Sequence, residues 1–298
     1  MWLSYYSFYG FEQLAEYEIA IKSVSAEVGT TVIQQFRQKI STRGTVIIVH
    51  GYMDHSALYR QLIMDRLNSG WDVLIYDKLG HGLSDGARYE IDDFAQYALQ
   101  LDAVLRYLAA QTEQSSHWQL IGQSTGAAVI MEHAFNSQMT HFIQLKQRIL
   151  LAPLVRCQQF NWVKLQYQLM RLLLSKIKRS FSCNSHDPYF LQLIRHQDPF
   201  TCHYMKVRWV GAMLHWEKKY LSETQSELPL LIVQGDDDGT VAWRYNIEAI
   251  NKQFPNSELV VISGARHQLV NEAAQWRNKV FSAIEQHSKQ QFNEYLHS

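Results

Sequence analysis

Gly122-Gln123-Ser124-Thr125-Gly126 follows the short apolar run Gln119–Ile121 and precedes a helix-length stretch, Ala127–Phe135. G-x-S-x-G between a strand and a helix marks a sharp turn that lifts a serine hydroxyl off the strand end. The glycines permit the tight backbone, and the helix N-terminus sets the Thr125 N–H beside the hydroxyl. Outward from this turn, Thr45–Val49, Val73–Tyr76, Ile149–Leu151, Leu230–Val233 and Leu259–Ile262 are further apolar runs without polar alternation. Such runs read as strands buried on both faces. Helix-length stretches at Ser56–Asn68, Ile91–Gln111, Thr125–Asn136, Trp243–Phe254 and from about Asn271 separate them. Ahead of them, Glu16–Ser23 and Thr30–Gln38 flank Glu27-Val28-Gly29 as an antiparallel hairpin. The pattern predicts an α/β fold: a mostly parallel eight-stranded sheet with helices on both faces.

A serine hydroxyl needs a base, and the base needs an orienting acid. Leu230–Val233 runs into Gly235-Asp236-Asp237-Asp238-Gly239-Thr240, and Leu259–Ile262 into Ser263-Gly264-Ala265-Arg266-His267. Both loops should leave the sheet edge that carries Ser124, where open α/β sheets place their ligands. The order Ser, Asp, His is the one expected with such a turn. Chemistry alone leaves three adjacent aspartates open as the acid, and an Asp here can equally cap the helix near Trp243. His267 is singled out from 13 histidines by its strand-end position after a glycine-rich approach. His50-Gly51-Tyr52-Met53-Asp54-His55 directly follows Thr45–Val49. In such a sheet this loop supplies one oxyanion-binding N–H, here Tyr52, and Thr125 supplies another. The segment also approaches a His-x-His-x-Asp-His zinc pattern, but Tyr52 stands at the second histidine and a metal leaves Ser124 unexplained. No metal or organic cofactor is expected.

From Val155 to about Leu221 the alternation lapses into helical segments broken at Asp187-Pro188 and Asp198-Pro199. We expect residues 1–154 and 222–298 to form one sheet-based core and residues 155–221 a helical cap over its ligand end. Asn161, Lys164, Gln168, Arg171, Ser175 and Lys178 recur at alternating steps of three and four. That spacing predicts one amphipathic helix, with Trp162, Leu169 and Leu173 on an apolar face lining an acyl channel. Val155 to Phe181 holds six Lys or Arg and no Asp or Glu. The bland reading is a solvated polar stripe; the functional one is contact with an anionic headgroup or membrane surface.

The 298 residues carry 28 Lys+Arg against 28 Asp+Glu, so no net field draws in nucleic acid. Cys157, Cys183 and Cys202 share no C-x-x-C spacing and read as reduced thiols, which points to the cytoplasm. No apolar run approaches the roughly 18 residues of a membrane span. Met1–Phe11 is aromatic but lacks Lys, Arg and a small-residue cleavage site.

The segments HGYMDHSALY (His50–Tyr59), YDKLGHGLSDG (Tyr76–Gly86), GQSTG, QGDDDGTV (Gln234–Val241) and GARHQLVNE (Gly264–Glu272) together resemble the monoacylglycerol lipase and lysophospholipase-like, serine aminopeptidase-type branch of the α/β-hydrolases. The resemblance runs from about Gly44 to the C-terminus. It implies Ser124 as nucleophile, His267 as base, and Asp238, three residues past the strand-ending glycine, as the acid. It also puts the oxyanion donors on the Tyr52 and Thr125 N–H groups. The sequence departs from that branch at Leu79, often Pro or Arg, and at Gly51-Tyr52-Met53-Asp54, which replaces a Gly-x-Gly-Glu-like loop. Asp77, Gly80, His81 and Ser84 read as a structural turn network. The implied activity is hydrolysis of a single-chain lipid ester, a monoacylglycerol or lysophospholipid. Rivals are hydrolysis or acyl transfer on small esters or peptides, and a non-catalytic ligand-binding relative.

Overall fold

A computed structural model describes residues 2–11, 14–113, 116–136 and 141–296. Its main sheet contains β1 (Glu18–Ala26), β2 (Gly29–Arg37), β3 (Thr45–Val49), β4 (Asp72–Tyr76), β5 (Trp118–Gln123) and β6 (Leu145–Leu151). A short ribbon of β7 (Lys176–Lys178) and β8 (Tyr204–Lys206) lies apart, and β9 (Leu230–Gly235) and β10 (Ser257–Ile262) complete the eight. The spatial order is β1-β2-β4-β3-β5-β6-β9-β10. The hairpin β1–β2 and the pair β2–β4 are antiparallel; every other neighbour pair in the sheet is parallel. The sheet is the mostly parallel one that the apolar runs predict.

Successive side chains of a strand point to opposite faces, so an unbroken apolar run fills two cores at once. Ile47 and Val49 of β3 enter one core while Val46 and Ile48 enter the other; β9 divides Leu230 and Ile232 from Leu231 and Val233 likewise. The second core is closed by α1 (Trp2–Phe8), α2 (Arg60–Asn68) and the C-terminal α9, Ala274–Leu296. The first is closed by α3 (Phe94–Ala109), α4 (Thr125–Phe135), α7 (Val207–Tyr220) and α8 (Trp243–Gln253). Asp93 starts α3 with a full capping box: its side chain accepts from the first turn and Gln96 reaches back.

Between β6 and β9 the chain leaves the sheet and forms α5 (Phe160–Met170), β7, the short α6 (Pro188–Gln192), β8 and α7. Here the structure departs from the expected single long helix. The helix stops at Met170, and Lys176–Lys178 pairs antiparallel with Tyr204–Lys206. Leu172, Leu173 and Leu174 after the helix are exposed, so no packing surface rewards a further turn, and strand pairing satisfies the backbone instead. By contrast, α7 is anchored. Trp216 stacks on Phe94 at 5.2 Å and donates to Glu132, and Glu217 pairs with Arg156 at 2.6 Å.

Candidate active site

Ser124 occupies the turn between β5 and α4 with φ 55° and ψ −114°, a backbone region that costs a non-glycine residue about 1–3 kcal/mol. The surroundings enforce it. The Ser124 N–H donates to the Leu151 carbonyl at 2.8 Å, and its own carbonyl accepts from Leu154 and Ala128. Gly126 lies so close to β3 that a Cβ there would fall 2.0 Å from the Val49 carbonyl oxygen. The hydroxyl is thereby held at the carboxyl edge of the sheet, facing His267.

His267 follows β10 and is buried, and its Nε2 lies 3.0 Å from Ser124 Oγ. Its Nδ1 lies 2.8 Å from Asp238 Oδ2. An Nδ1–H donated to the carboxylate leaves Nε2 free to accept the serine proton. Asp238 is fully engaged: Oδ2 also accepts from Gln234 at 3.1 Å, and Oδ1 accepts the Thr240 and Val241 N–H groups. Burial pushes the Asp238 carboxyl up, but the His267 charge and these hydrogen bonds hold it below the usual carboxylate range. Burial disfavours an imidazolium at His267, yet Asp238, with a smaller contribution from Asp54, carries its pKa above the ordinary histidine value. The neighbouring aspartates are used elsewhere. Asp236 accepts the Gly264 N–H at 2.6 Å, and Asp237 pairs with Arg266 at 3.1 Å.

A cavity of about 320 Å³ opens over Ser124 and His267. Tyr52 and Thr125, the two expected oxyanion donors, both line it. The Tyr52 ring stacks on Trp209 of α7 at 3.7 Å, and its hydroxyl donates to the Tyr89 carbonyl at 2.8 Å. The loop after β3 is thus tied to the cap. Behind it, His50 Nε2 accepts the Lys78 N–H, Asp54 accepts from Tyr59, and His55 meets Asp198. These are the residues of the zinc-like pattern, and each already has a protein partner. Among the described residues no group of three or more His, Cys, Asp or Glu is placed to hold a metal ion. Asp77 accepts from Ser56 and Leu83 and lies outside the cavity, which keeps the Asp77–Ser84 turn structural.

The cap candidates for substrate contact need correction. Trp162, Leu169 and Leu173 are 55%, 66% and 81% exposed, and none lines the cavity. Apolar residues run around most of α5, and the side that finds a partner is Phe160, Val163 and Tyr167. Tyr167 sits against Gly211 of α7, where even a Cβ would clash with its hydroxyl. That contact turns Trp162 and Leu169 outward. The cavity takes its apolar wall from Val163, Met205, Trp209, Val210 and Met213 instead. Sequence reading missed this wall, although Trp209, Val210, Met213 and Trp216 carry helical spacing. It also missed Arg179 and Asn184, which line the cavity and bear no local signal.

The model of the serine aminopeptidase family S33 matches residues 40–274. The probable lysophospholipase L2 of Haemophilus influenzae is 24% identical over 272 residues, 82% of this chain and 83% of that protein. The monoglyceride lipase homolog of monkeypox virus is 26% identical over 254 residues, 82% of this chain and 88% of that protein. Among solved structures, a soluble variant of the Saccharomyces cerevisiae monoglyceride lipase with a substrate analog superposes with a TM-score of 0.81 at 15% identity, covering 95% of this chain and 98% of that one. The family match embraces strands β3 to β10, the serine turn and the loops of Asp238 and His267, so the chain belongs to the serine aminopeptidase S33 family within the α/β-hydrolase superfamily.

Proposed function

We propose that this protein is a serine hydrolase of carboxylic esters, acting on single-chain lipid esters such as a monoacylglycerol or a lysophospholipid. The observation that carries the reading is the hydrogen-bonded line Ser124–His267–Asp238, at 3.0 and 2.8 Å, opening into an apolar-walled cavity. Ser124 Oγ attacks the ester carbonyl as His267 Nε2 takes its proton, and Asp238 stabilises the imidazolium. The Tyr52 and Thr125 N–H groups hold the tetrahedral oxyanion. Collapse expels the alcohol with the proton from His267 and leaves an acyl-Ser124. Water, deprotonated by His267, then releases the fatty acid and restores the serine.

The names of the two relatives, a lysophospholipase and a monoglyceride lipase homolog, support an acyl ester as substrate. The family description names an aminopeptidase, whose substrate ammonium needs an anionic partner. Asp54 is the carboxylate in the cavity lining, and it already accepts from Tyr59 and Gln268. The ester reading therefore stands first. The outer face of the cap supports a second element of the function, peripheral contact with an anionic bilayer. Exposed Trp162, Leu169 and Leu172 and the exposed cations Lys164, Arg171 and Lys178 all belong to this part of the cap, which thus offers both apolar and basic side chains. Among the described residues no helix is long and apolar enough to cross a membrane. Three free cysteines favour a reducing, cytoplasmic setting. Residues 155–221 act as the cap and the flanking segments as the catalytic core.

The test is labelling by a fluorophosphonate probe, followed by turnover of an acyl-chain series with matched glycerol and phospho-headgroups. Labelling with a long-chain optimum supports the reading. Failure to label, or faster turnover of aminoacyl amides than of any ester, overturns it.

A further inference from the structure

Two kinds of residue line the cavity over Ser124. Apolar side chains come from α5, β8 and α7, whereas the segment following β7 contributes Arg179, Ser180, Ser182 and Asn184. Several cations of the cap have carboxylate partners: Arg156 meets Glu217, Lys206 and Arg208 meet Glu90, and Lys219 meets Glu132. Others, such as Lys164, Arg171 and Lys178, are exposed to solvent, whereas Arg179 lines the cavity with no carboxylate in contact. Its guanidinium donates to the Cys202 carbonyl at 3.3 Å and lies over the Phe181 ring at 4.6 Å, and among the described residues it forms no ion pair. Its backbone is fixed by the His203 carbonyl at 2.8 Å. Burial draws the Arg179 pKa down, and Asp54 is the carboxylate that most opposes this, without touching it. A guanidinium remains protonated in any such setting. The site therefore holds a half-buried cation with several N–H donors and no carboxylate in contact with it, an arrangement that an arriving anion would improve.

We propose that Arg179 is the headgroup-selecting residue, and that the preferred ester carries a phosphate on its alcohol side. This rests on the hydrolase reading above and narrows it from neutral glycerides toward lysophospholipids. A planar guanidinium presents paired donors that match two phosphate oxygens. The Ser180 and Ser182 hydroxyls share the same wall and can donate to a third. A neutral glycerol headgroup offers nothing that pairs with the half-buried charge.

The experiment separates binding from chemistry. The whole protein is titrated calorimetrically, at low salt and below micellar concentrations, with two non-hydrolysable ether lipids of equal chain length: a 1-O-alkylglycerol and its 3-phosphate. A charge-assisted contact of this kind predicts about 10- to 100-fold tighter binding of the phosphate. Arg179→Gln should bring the ratio of the two dissociation constants close to one, while Arg179→Lys keeps part of the preference. Equal wild-type affinities overturn the proposal, as does a phosphate preference that survives in Arg179→Gln. Turnover of the matching acyl esters is measured alongside. Phosphate selection by Arg179 without turnover sinks the hydrolase reading and leaves the subsite; turnover with no phosphate preference does the reverse.

Discussion

At the carboxyl ends of β5, β9 and β10, Ser124 is held in a left-handed conformation, Gly126 touches β3, and both Asp238 oxygens are occupied. In the outer limb of the cap, α5 buries only Phe160 of its eleven residues, and Leu172 just beyond it is 86% exposed. The first region is determined by contacts within the chain. The second is loosely determined from inside, so its side chains are free to answer to something outside. A substitution should cost most where internal constraints meet, and outer-limb changes should register mainly in the presence of a surface.

The largest effect belongs to Ser124→Ala. Turnover should fall about ten-thousand-fold or more, probe labelling should vanish, and the circular dichroism spectrum should stay that of the wild type. Labelling that persists would remove Ser124 as nucleophile. Next comes Asp238→Asn, expected to lower kcat about a thousandfold or more by leaving His267 in the wrong tautomer. Asp236→Asn and Asp237→Asn should each stay within about tenfold, since neither aspartate reaches the imidazole. The pH profile adds a sign. In the proposed mechanism His267 works as a neutral base, and its pKa lies above the ordinary value because of Asp238. Wild-type kcat/KM should therefore rise with pH through a midpoint above about 6.5. Removing the Asp238 charge should move the midpoint of any residual activity downward; an upward move would contradict the assigned pairing.

A smaller effect is read in stability. Gly126→Ala should cost about 1–3 kcal/mol in denaturant unfolding, because the added methyl meets the Val49 carbonyl. A wild-type midpoint would show that the turn tolerates more movement than its geometry suggests. On the cap, Lys164→Gln/Arg171→Gln/Lys178→Gln should weaken binding to anionic vesicles roughly a hundredfold, at about 1 kcal/mol per charge. Its turnover of a soluble short-chain ester should match the wild type. Equal rates on soluble ester and on lysolipid in vesicles would reduce these cations to solvated surface charges. The smallest effect is that of Leu172→Ser, within about 0.5 kcal/mol in unfolding. A larger loss would mean that the outer limb packs more tightly than its exposure implies.

Legibility in the sequence followed the same division. Strands β3, β4 and β9 were recognisable almost to the residue because both their faces meet apolar cores. Strand β6 was legible only from Ile149, since Lys146, Gln147 and Arg148 interrupt its start. Gln147 is nonetheless buried, and it accepts from Gln119 across the sheet, a pairing that no local pattern announces. The cap was recognised as an insertion, but its short ribbon and the end of α5 were missed. Helical spacing there was real; a packing partner for the continued helix was not.

The residues themselves determined the sheet, the serine turn and the loops that carry Asp238 and His267, because strand burial and tight turns leave marks within a few positions. Chemistry by itself left Asp236, Asp237 and Asp238 equivalent, and only the tertiary structure brings one of them to His267. It also decided that α5 presents Phe160, Val163 and Tyr167 inward, that α7 walls the cavity, and that Arg179 lines that cavity with no carboxylate in contact. Those outcomes depend on which surfaces meet across tens to hundreds of residues, and spacing along one segment holds no record of the partner it will face.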